Sequence, residues 1–158
     1  MYKAAVLTMS DRCSRGERED ESGKVIQGLL KTVGLEIVKY EVIPDELELI
    51  KKKLIEYSDK LKVDLVLTDG GTGFGPRDVT PEATKAVIDK EVPGIPEVMR
   101  MECLKYSRRA MLSRAAAGIR GKALIVNLPG SPRAVKETLE TVLGTLVHAL
   151  DMIAGKDH

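Results

Sequence analysis

Residues 65–84 constrain the fold more than any other stretch of this chain. Val63, Leu65, Val66 and Leu67 make a short apolar run bounded by turn residues, the pattern of a strand covered on both faces in a parallel sheet. Gly70, Gly71, Gly73 and Gly75 follow, and after Pro76-Arg77-Asp78-Val79 the pair Thr80-Pro81 reads as an N-cap with proline at the first helical position. The glycines permit positive φ and let a ligand approach the backbone without meeting a Cβ. Their amides can cup an anion, and the amides and dipole of the helix beyond favour the same charge. Arg77 can pair with phosphate and Asp78 can hold a divalent metal. Read for structure alone, the same glycines only turn the chain tightly between strand and helix.

Better-known glycine motifs do not fit. A P-loop ends in Gly-Lys-Ser/Thr, whereas this loop ends in Gly75-Pro76-Arg77. The dinucleotide fingerprint begun by Gly71-Thr72-Gly73 needs glycine at position 76, which is proline.

At 158 residues the chain suits one compact domain, 1–158. A formal net charge of +1 marks it as neither a general nucleic-acid binder nor a membrane-surface binder. Runs such as Lys51-Lys52-Lys53 and Glu17-Arg18-Glu19-Asp20-Glu21 read as solvated faces. With no Trp and one Phe, the core must be built from Val, Leu, Ile, Ala and Met. That Phe74 sits inside the glycine loop, either packing the loop down or flanking a flat ligand ring. Cys13 and Cys103 are too few for a disulfide framework and lack metal spacing, so a reduced, cytoplasmic setting is expected. His148 lies inside the last helical segment and His158 at the terminus, which argues against His-based metal or Ser-His chemistry. The N-terminal run Ala4-Ala5-Val6-Leu7 is strand length, so neither signal peptide nor membrane span is expected.

Patterning predicts a strand over Tyr2–Met9, a polar loop over Ser10–Asp20, a helix over Ser22–Val33 closed by Gly34, and a strand over Leu35–Ile43. Pro44-Asp45 opens a helix to Tyr57 with Leu47, Ile50, Leu54 and Ile55 inward. After the glycine loop come helices from Pro81 to about Ile88 and from Pro93-Gly94 through Val98, Met101 and Leu104. Met111–Gly121 is a less regular small-residue stretch. A buried strand, Ala123–Leu128, then leads through Pro129-Gly130-Ser131-Pro132 into a helix ending near Ile153. Alternating strands and helices imply a three-layer α/β/α sandwich on a mostly parallel sheet, with ligands outside the carboxyl ends of its strands. The loops expected there are Ser10–Asp20, Pro44-Asp45, Gly70–Asp78 and Pro129–Pro132.

The strings Ser10-Asp11-Arg12, Ile43-Pro44-Asp45, Gly70-Gly71-Thr72-Gly73, Pro76-Arg77-Asp78-Val79-Thr80-Pro81-Glu82-Ala83-Thr84, Leu112-Ser113-Arg114 with Ala116-Ala117-Gly118, and Leu128-Pro129-Gly130-Ser131-Pro132 fall in one order along nearly the whole chain. In that order and spacing the chain resembles the molybdopterin adenylyltransferases, MogA-like proteins related to the G domains of plant and animal molybdenum-cofactor proteins. Related pterin-pathway domains share the Gly-Gly-Thr-Gly part. The Arg-Asp-Val-Thr-Pro-Glu-Ala extension is more specific and favours the adenylylating branch over MoaB-like proteins that bind molybdopterin or its precursor without transfer.

The resemblance implies a MogA/MoaB-like fold and a reaction in which ATP, with Mg²⁺, adenylylates the terminal phosphate of molybdopterin and releases pyrophosphate. It also implies a homotrimer, transient contact with a molybdate-inserting protein, and no nucleic-acid or membrane partner. Because a substrate phosphate attacks, no protein nucleophile is needed, which suits a chain so poor in His and Cys. By resemblance Asp45 and Asp78 match the aspartates on which activity depends and are assigned to Mg²⁺. Asp45 also reads as a plain N-cap, and Asp78 as a turn residue bonded to backbone near Thr80. Ser113 matches a serine that holds the pterin-phosphate ligand. Ser10, Asp11, Gly70, Gly71, Thr72, Gly73, Arg77, Pro129, Gly130 and Ser131 complete the expected pocket, with Ser131 equally an N-cap before Pro132. Arg12 is either part of the pocket or surface charge. Asp69 departs from the family, which often has an uncharged residue there; its carboxylate either adds a metal ligand or faces solvent.

Overall fold

The computed structural model describes residues 1–156; His158 lies outside the described residues. The strands are β1 (Lys3–Met9), β2 (Glu36–Ile43), β3 (Leu65–Asp69), β4 (Lys90–Glu91), β5 (Ala117–Arg120) and β6 (Ala123–Leu128). They form one sheet in the order β2-β1-β3-β6-β5-β4. The four strands from β2 to β6 are parallel, while β5 runs antiparallel to β6 and β4 antiparallel to β5. The helices are α1 (Asp11–Ser14), α2 (Glu21–Thr32), α3 (Leu47–Ile55), α4 (Thr80–Val87), α5 (Gly94–Cys103) and α6 (Pro132–Ile153). Among the described residues no helix is long and apolar enough to cross a membrane.

The central strands are buried on both faces, and their alternation divides the core in two. Ala4 and Val6, Leu65 and Leu67, and Leu124, Val126 and Leu128 pack with Ile26 and Leu30 of α2, Met99 of α5 and the apolar stripe of α6. Ala5, Leu7, Val66 and Ile125 face the other way, onto Ile50 and Leu54 of α3 and Ala83 and Val87 of α4. This is the expected sandwich, with the period-two geometry of a strand serving both layers at once.

Several elements differ from expectation. The predicted polar loop begins with the single turn α1, capped by the Ser10 hydroxyl accepting from the Cys13 amide. The helix after Pro44-Asp45 ends at Ile55 and widens into a π-turn, Glu56–Lys60, which brings Tyr57 to full burial with its hydroxyl donating to Glu41. Leu47 is exposed rather than inward. In α5 the buried stripe is Pro96, Met99 and Cys103, and Val98 and Met101 face solvent, because a second set of apolar residues at helical spacing lies one step along. Within the irregular stretch, Ala117–Arg120 is a strand: Ile119 is its one strongly β-forming residue, and the four residues owe their form to the ladder with β6. A Cβ at Gly118 would collide with the Ile88 side chain and the Lys90 carbonyl, so the adjoining edge can approach only a glycine.

Candidate active site

Thr8 pairs with Asp69 across β1 and β3, and Asp69 with Leu128 across β3 and β6, so the three strands end at one level and their loops emerge side by side. The loop after β1 leads to α2 on one face, and the loop after β3 leads to α4 on the other. That divergence opens the crevice in which doubly wound sheets hold ligands.

Beneath the loops lies a polar floor. Thr8 donates to Asp69 Oδ2 at 2.7 Å, and the buried Asn127 amide donates to the Thr68 and Thr84 hydroxyls at 3.0 and 2.9 Å while accepting from the Ala116 N–H at 3.1 Å. Asp69 is 1% exposed, so the solvent-facing alternative for it is wrong. Burial, helped by the charge of Asp20 and opposed by the Thr8 hydroxyl, pushes its carboxyl up to about 8, which leaves it protonated at neutral pH.

The glycine loop sits on this floor. Gly70 and Gly71 adopt φ of +90° and +71°. A Cβ on Gly70 would strike the Met9 carbonyl, and one on Gly71 the Thr80 hydroxyl. Thr80 is not the expected cap: Val79 holds that position without a side-chain bond, and Thr80 is fully buried in the first turn, its hydroxyl donating to the Gly70 carbonyl at 2.9 Å. Asp78 is a turn residue, but it bonds backward, accepting from the Gly75 N–H at 2.8 Å rather than from backbone near Thr80. Phe74 is 71% exposed and does not pack the loop down.

Asp45 does not cap α3 either. Glu46 occupies the cap position, and Asp45 exchanges bonds with Asp11: the Asp11 N–H donates to Asp45 Oδ2 at 3.2 Å and the Asp45 N–H to Asp11 Oδ1 at 3.0 Å. Arg77 closes on Asp11 through Nη2 and Nε, at 2.9 and 3.1 Å, and holds its carboxyl down at about 2, with help from the Asp45 N–H. Asp45 moves the other way. Burial first, then the neighbouring charges of Asp11 and Asp78, push it up to about 6. Its Oδ1 is buried with no hydrogen-bond partner among the described residues.

Two clefts flank the loop. The smaller, about 320 Å³, is bordered by Ser10, Asp45, Asp69, Gly70, Gly71, Asp78, Gly130 and Ser131. The larger, about 630 Å³, is bordered by Thr72, Gly73, Ser113, Pro129 and Ser131, and also by Ser107, Arg109 and Arg133. Ser131 caps α6 by accepting from the Ala134 N–H and borders both clefts, and Gly130 is fixed by the Ser22 hydroxyl donating to its carbonyl. Asp11 and Arg77 border neither cleft; they brace Asp45. Arg12 is exposed. Ser107, Arg109 and Arg133 were not among the sequence-derived candidates. The run Ser107-Arg108-Arg109 and the arginine just past the Ser131-Pro132 cap were the available signals.

Among the described residues, no three His, Cys, Asp or Glu side chains gather as a protein-only metal cage. Of the acidic residues that border the smaller cleft, Asp45, with its orphaned oxygen, and Asp78 stand beside the glycine backbone as hard ligands. That set suits Mg²⁺, which is usually held by one or two carboxylates together with substrate phosphates.

Comparison with known proteins agrees with this architecture. Residues 5–149 match a family described as a probable molybdopterin binding domain. The molybdopterin adenylyltransferase of Helicobacter pylori strain J99 is 50% identical over 95% of this chain and 86% of its own length. That of Escherichia coli K12 is 43% identical over 89% of this chain and 73% of its own. A crystal structure of the molybdopterin biosynthesis enzyme MoaB from Thermus thermophilus superposes with a TM-score of 0.92 at 48% identity, covering 99% of this chain and 98% of that one. The chain belongs to the molybdopterin-binding domain family that includes the molybdopterin adenylyltransferases.

Proposed function

We propose that the protein is a molybdopterin adenylyltransferase. A terminal phosphate oxygen of molybdopterin attacks the α-phosphorus of ATP, the new P–O bond forms as the bond to the β-phosphate bridge breaks, and pyrophosphate leaves. The observation that carries this reading is one glycine loop between two clefts, with Asp45 and Asp78 on one side and Ser107, Arg109, Ser113 and Arg133 on the other. Such a layout can hold two phosphate-bearing ligands together without a protein nucleophile. Asp45 and Asp78 would hold Mg²⁺ against the ATP phosphates in the smaller cleft. When bound, the ion supplies charge neutralisation for the approaching and departing phosphates. Ser113, Ser107, Arg109 and Arg133 receive the pterin phosphate in the larger cleft, while Ser10, Gly70, Gly71, Thr72, Gly73, Pro129, Gly130 and Ser131 line the path between. The domain spans 1–158 and works in the cytoplasm as a homotrimer that passes product to a molybdate-inserting protein.

Purified protein mixed with Mg-ATP and molybdopterin is expected to yield adenylylated product and pyrophosphate, with Asp45→Asn and Asp78→Asn slower by about a hundredfold or more. Ligand binding without product would move the chain to the MoaB-like binding class. A monomer by solution mass at working concentration would remove the trimer.

A further inference from the structure

The carbonyls of residues 70–73 are all tied down, while the amides of residues 71–74 are left over. Thr80 takes two carbonyls, its hydroxyl donating to that of Gly70 and its N–H to that of Gly71 at 3.2 Å. Arg114 takes the next ones. Its N–H donates to the Thr72 carbonyl at 2.9 Å, Nε to the Gly73 carbonyl at 2.7 Å and Nη2 to the Asp78 carbonyl at 2.8 Å. In a trans peptide the C=O of one residue and the N–H of the next point in opposite directions. Fixing the carbonyls of residues 70–73 therefore fixes the amides of residues 71–74. Among the described residues, no hydrogen bond engages those four amides. From Gly70 through Gly73 the carbonyls are taken, and what the segment offers a ligand is the N–H groups of residues 71–74.

We infer that Arg114 is a positioning residue that sets the polarity of the loop. Glycines at 73 and 75 give the peptides around Phe74 little intrinsic resistance to flipping, and a flipped plane would present a carbonyl to the anion. The Arg114 side chain blocks this at Gly73. By holding the Asp78 carbonyl, it also sets the turn that carries the Asp78 carboxylate. Its third arm, Nη1, meets Glu82 Oε2 at 2.7 Å, so the guanidinium charge is largely answered within the protein. Arg100 anchors the segment from behind, its Nη1 donating to the Ser113 and Ala115 carbonyls at 3.3 and 3.0 Å. Only a forked guanidinium reaches Gly73, Asp78 and Glu82 at once; a lysine ammonium on a flexible stem does not.

The inference rests on the proposed function only in taking the loop as an anion cradle, and the test separates the two. Inorganic pyrophosphate is titrated by calorimetry into the parent, Arg114→Lys, Arg114→Ala and, as a comparator, Arg120→Ala. Arg120 makes a similar clamp on the Val87 carbonyl and Asp59, but it holds no carbonyl of the glycine loop. Both Arg114 variants are expected to bind about ten- to hundredfold more weakly with folded circular-dichroism spectra. Guanidinium chloride, against equal sodium chloride, should restore Arg114→Ala but not Arg114→Lys, and Arg120→Ala should bind as the parent does. Arg114 variants with parental affinity, a loss in Arg114→Ala that guanidinium does not reverse, or an equal loss in Arg120→Ala would each overturn the inference. A parent that binds pyrophosphate but transfers no adenylate removes the transferase reading and leaves the clamp standing; Arg114 variants that transfer like an active parent remove the clamp alone.

Discussion

Asp69→Asn should make the protein more stable as pH rises, relative to the parent. The Asp69 carboxyl is 1% exposed, and burial holds it protonated up to about 8 against an ordinary value of 3.8. Below about pH 4 it is protonated folded and unfolded and contributes no pH dependence. Between about 4 and 8 the unfolded chain releases the proton and the folded chain keeps it, so stability falls by ~1.4 kcal/mol for each pH unit. By pH 7 the accumulated penalty is about 4 kcal/mol, an upper figure because denatured chains retain some burial. Asparagine keeps the shape and an acceptor for Thr8 but does not titrate. It also adds N–H donors whose own pairing can offset the gain by about 1–3 kcal/mol, independently of pH. The slope is therefore the diagnostic. Urea unfolding of both proteins at pH 5, 6, 7 and 8 should show the difference growing by about 1 kcal/mol or more per unit up to pH 7, equivalent to a relative melting-temperature gain of several degrees. A difference that stays constant from pH 5 to 8 would show that Asp69 is ionised in the folded protein, and the account of the floor would be wrong.

Gly70→Ala must place a Cβ against the Met9 carbonyl at a φ of +90°, and should cost about 2–5 kcal/mol in unfolding experiments together with all transferase activity. A near-parental melting temperature would mean that the turn can relax. Asn127→Leu strips the Ala116 N–H of an acceptor and the Thr68 and Thr84 hydroxyls of a donor, with an expected cost of about 2–4 kcal/mol by urea titration; less than about 1 kcal/mol would contradict the network. Because burial and the Asp11 and Asp78 charges push Asp45 up to about 6, protons compete with cations there as pH falls. Mg²⁺-dependent ATP binding should therefore weaken roughly tenfold from pH 7 to pH 5, and equal binding at both values would exclude Asp45 as a ligand. Arg77→Ala removes the bond that most holds Asp11 down, and should raise the Asp11 carboxyl in an NMR titration while leaving the fold intact.

Strands that are buried on both faces were legible because each is a dense apolar run, and their C-terminal ends located the loops correctly. The strand Ala117–Arg120 was not, since one β-branched residue, Ile119, among alanine, glycine and arginine makes no alternating pattern and the pairing with β6 makes it a strand. At the site, sequence could nominate Asp45 but misjudged its structural alternative. Pro-Asp-Glu before an apolar stripe resembles a helix opening, and only the exchange with Asp11, 34 residues away, shows the carboxylate turned toward the first loop. The solvent-facing reading of Asp69 fails for a related reason. A charged residue at a strand end ordinarily points to water, and nothing local reveals that Thr8 lies directly across the ladder to receive it.

These long-range contacts share a logic. Thr8, Thr68, Asp69, Thr80, Thr84 and Asn127 are buried polar residues placed where three strands end, a location in which apolar side chains would pack as well. Buried polar groups constrain geometry because leaving one unpaired is costly, so a hydrogen-bonded floor admits few alternative arrangements. Thr80 carries that constraint upward: packed beside the floor through α4, it holds the Gly70 and Gly71 carbonyls and so the direction of the next two amides. Arg114 continues the pattern from the other side. Orientation of the loop thus descends from residues that need never touch a ligand, and Thr80→Val, isosteric but unable to donate through its side chain, should weaken pyrophosphate binding by about tenfold while changing no group that borders either cleft. Parental affinity in a folded Thr80→Val protein would show that the loop keeps its polarity without the floor.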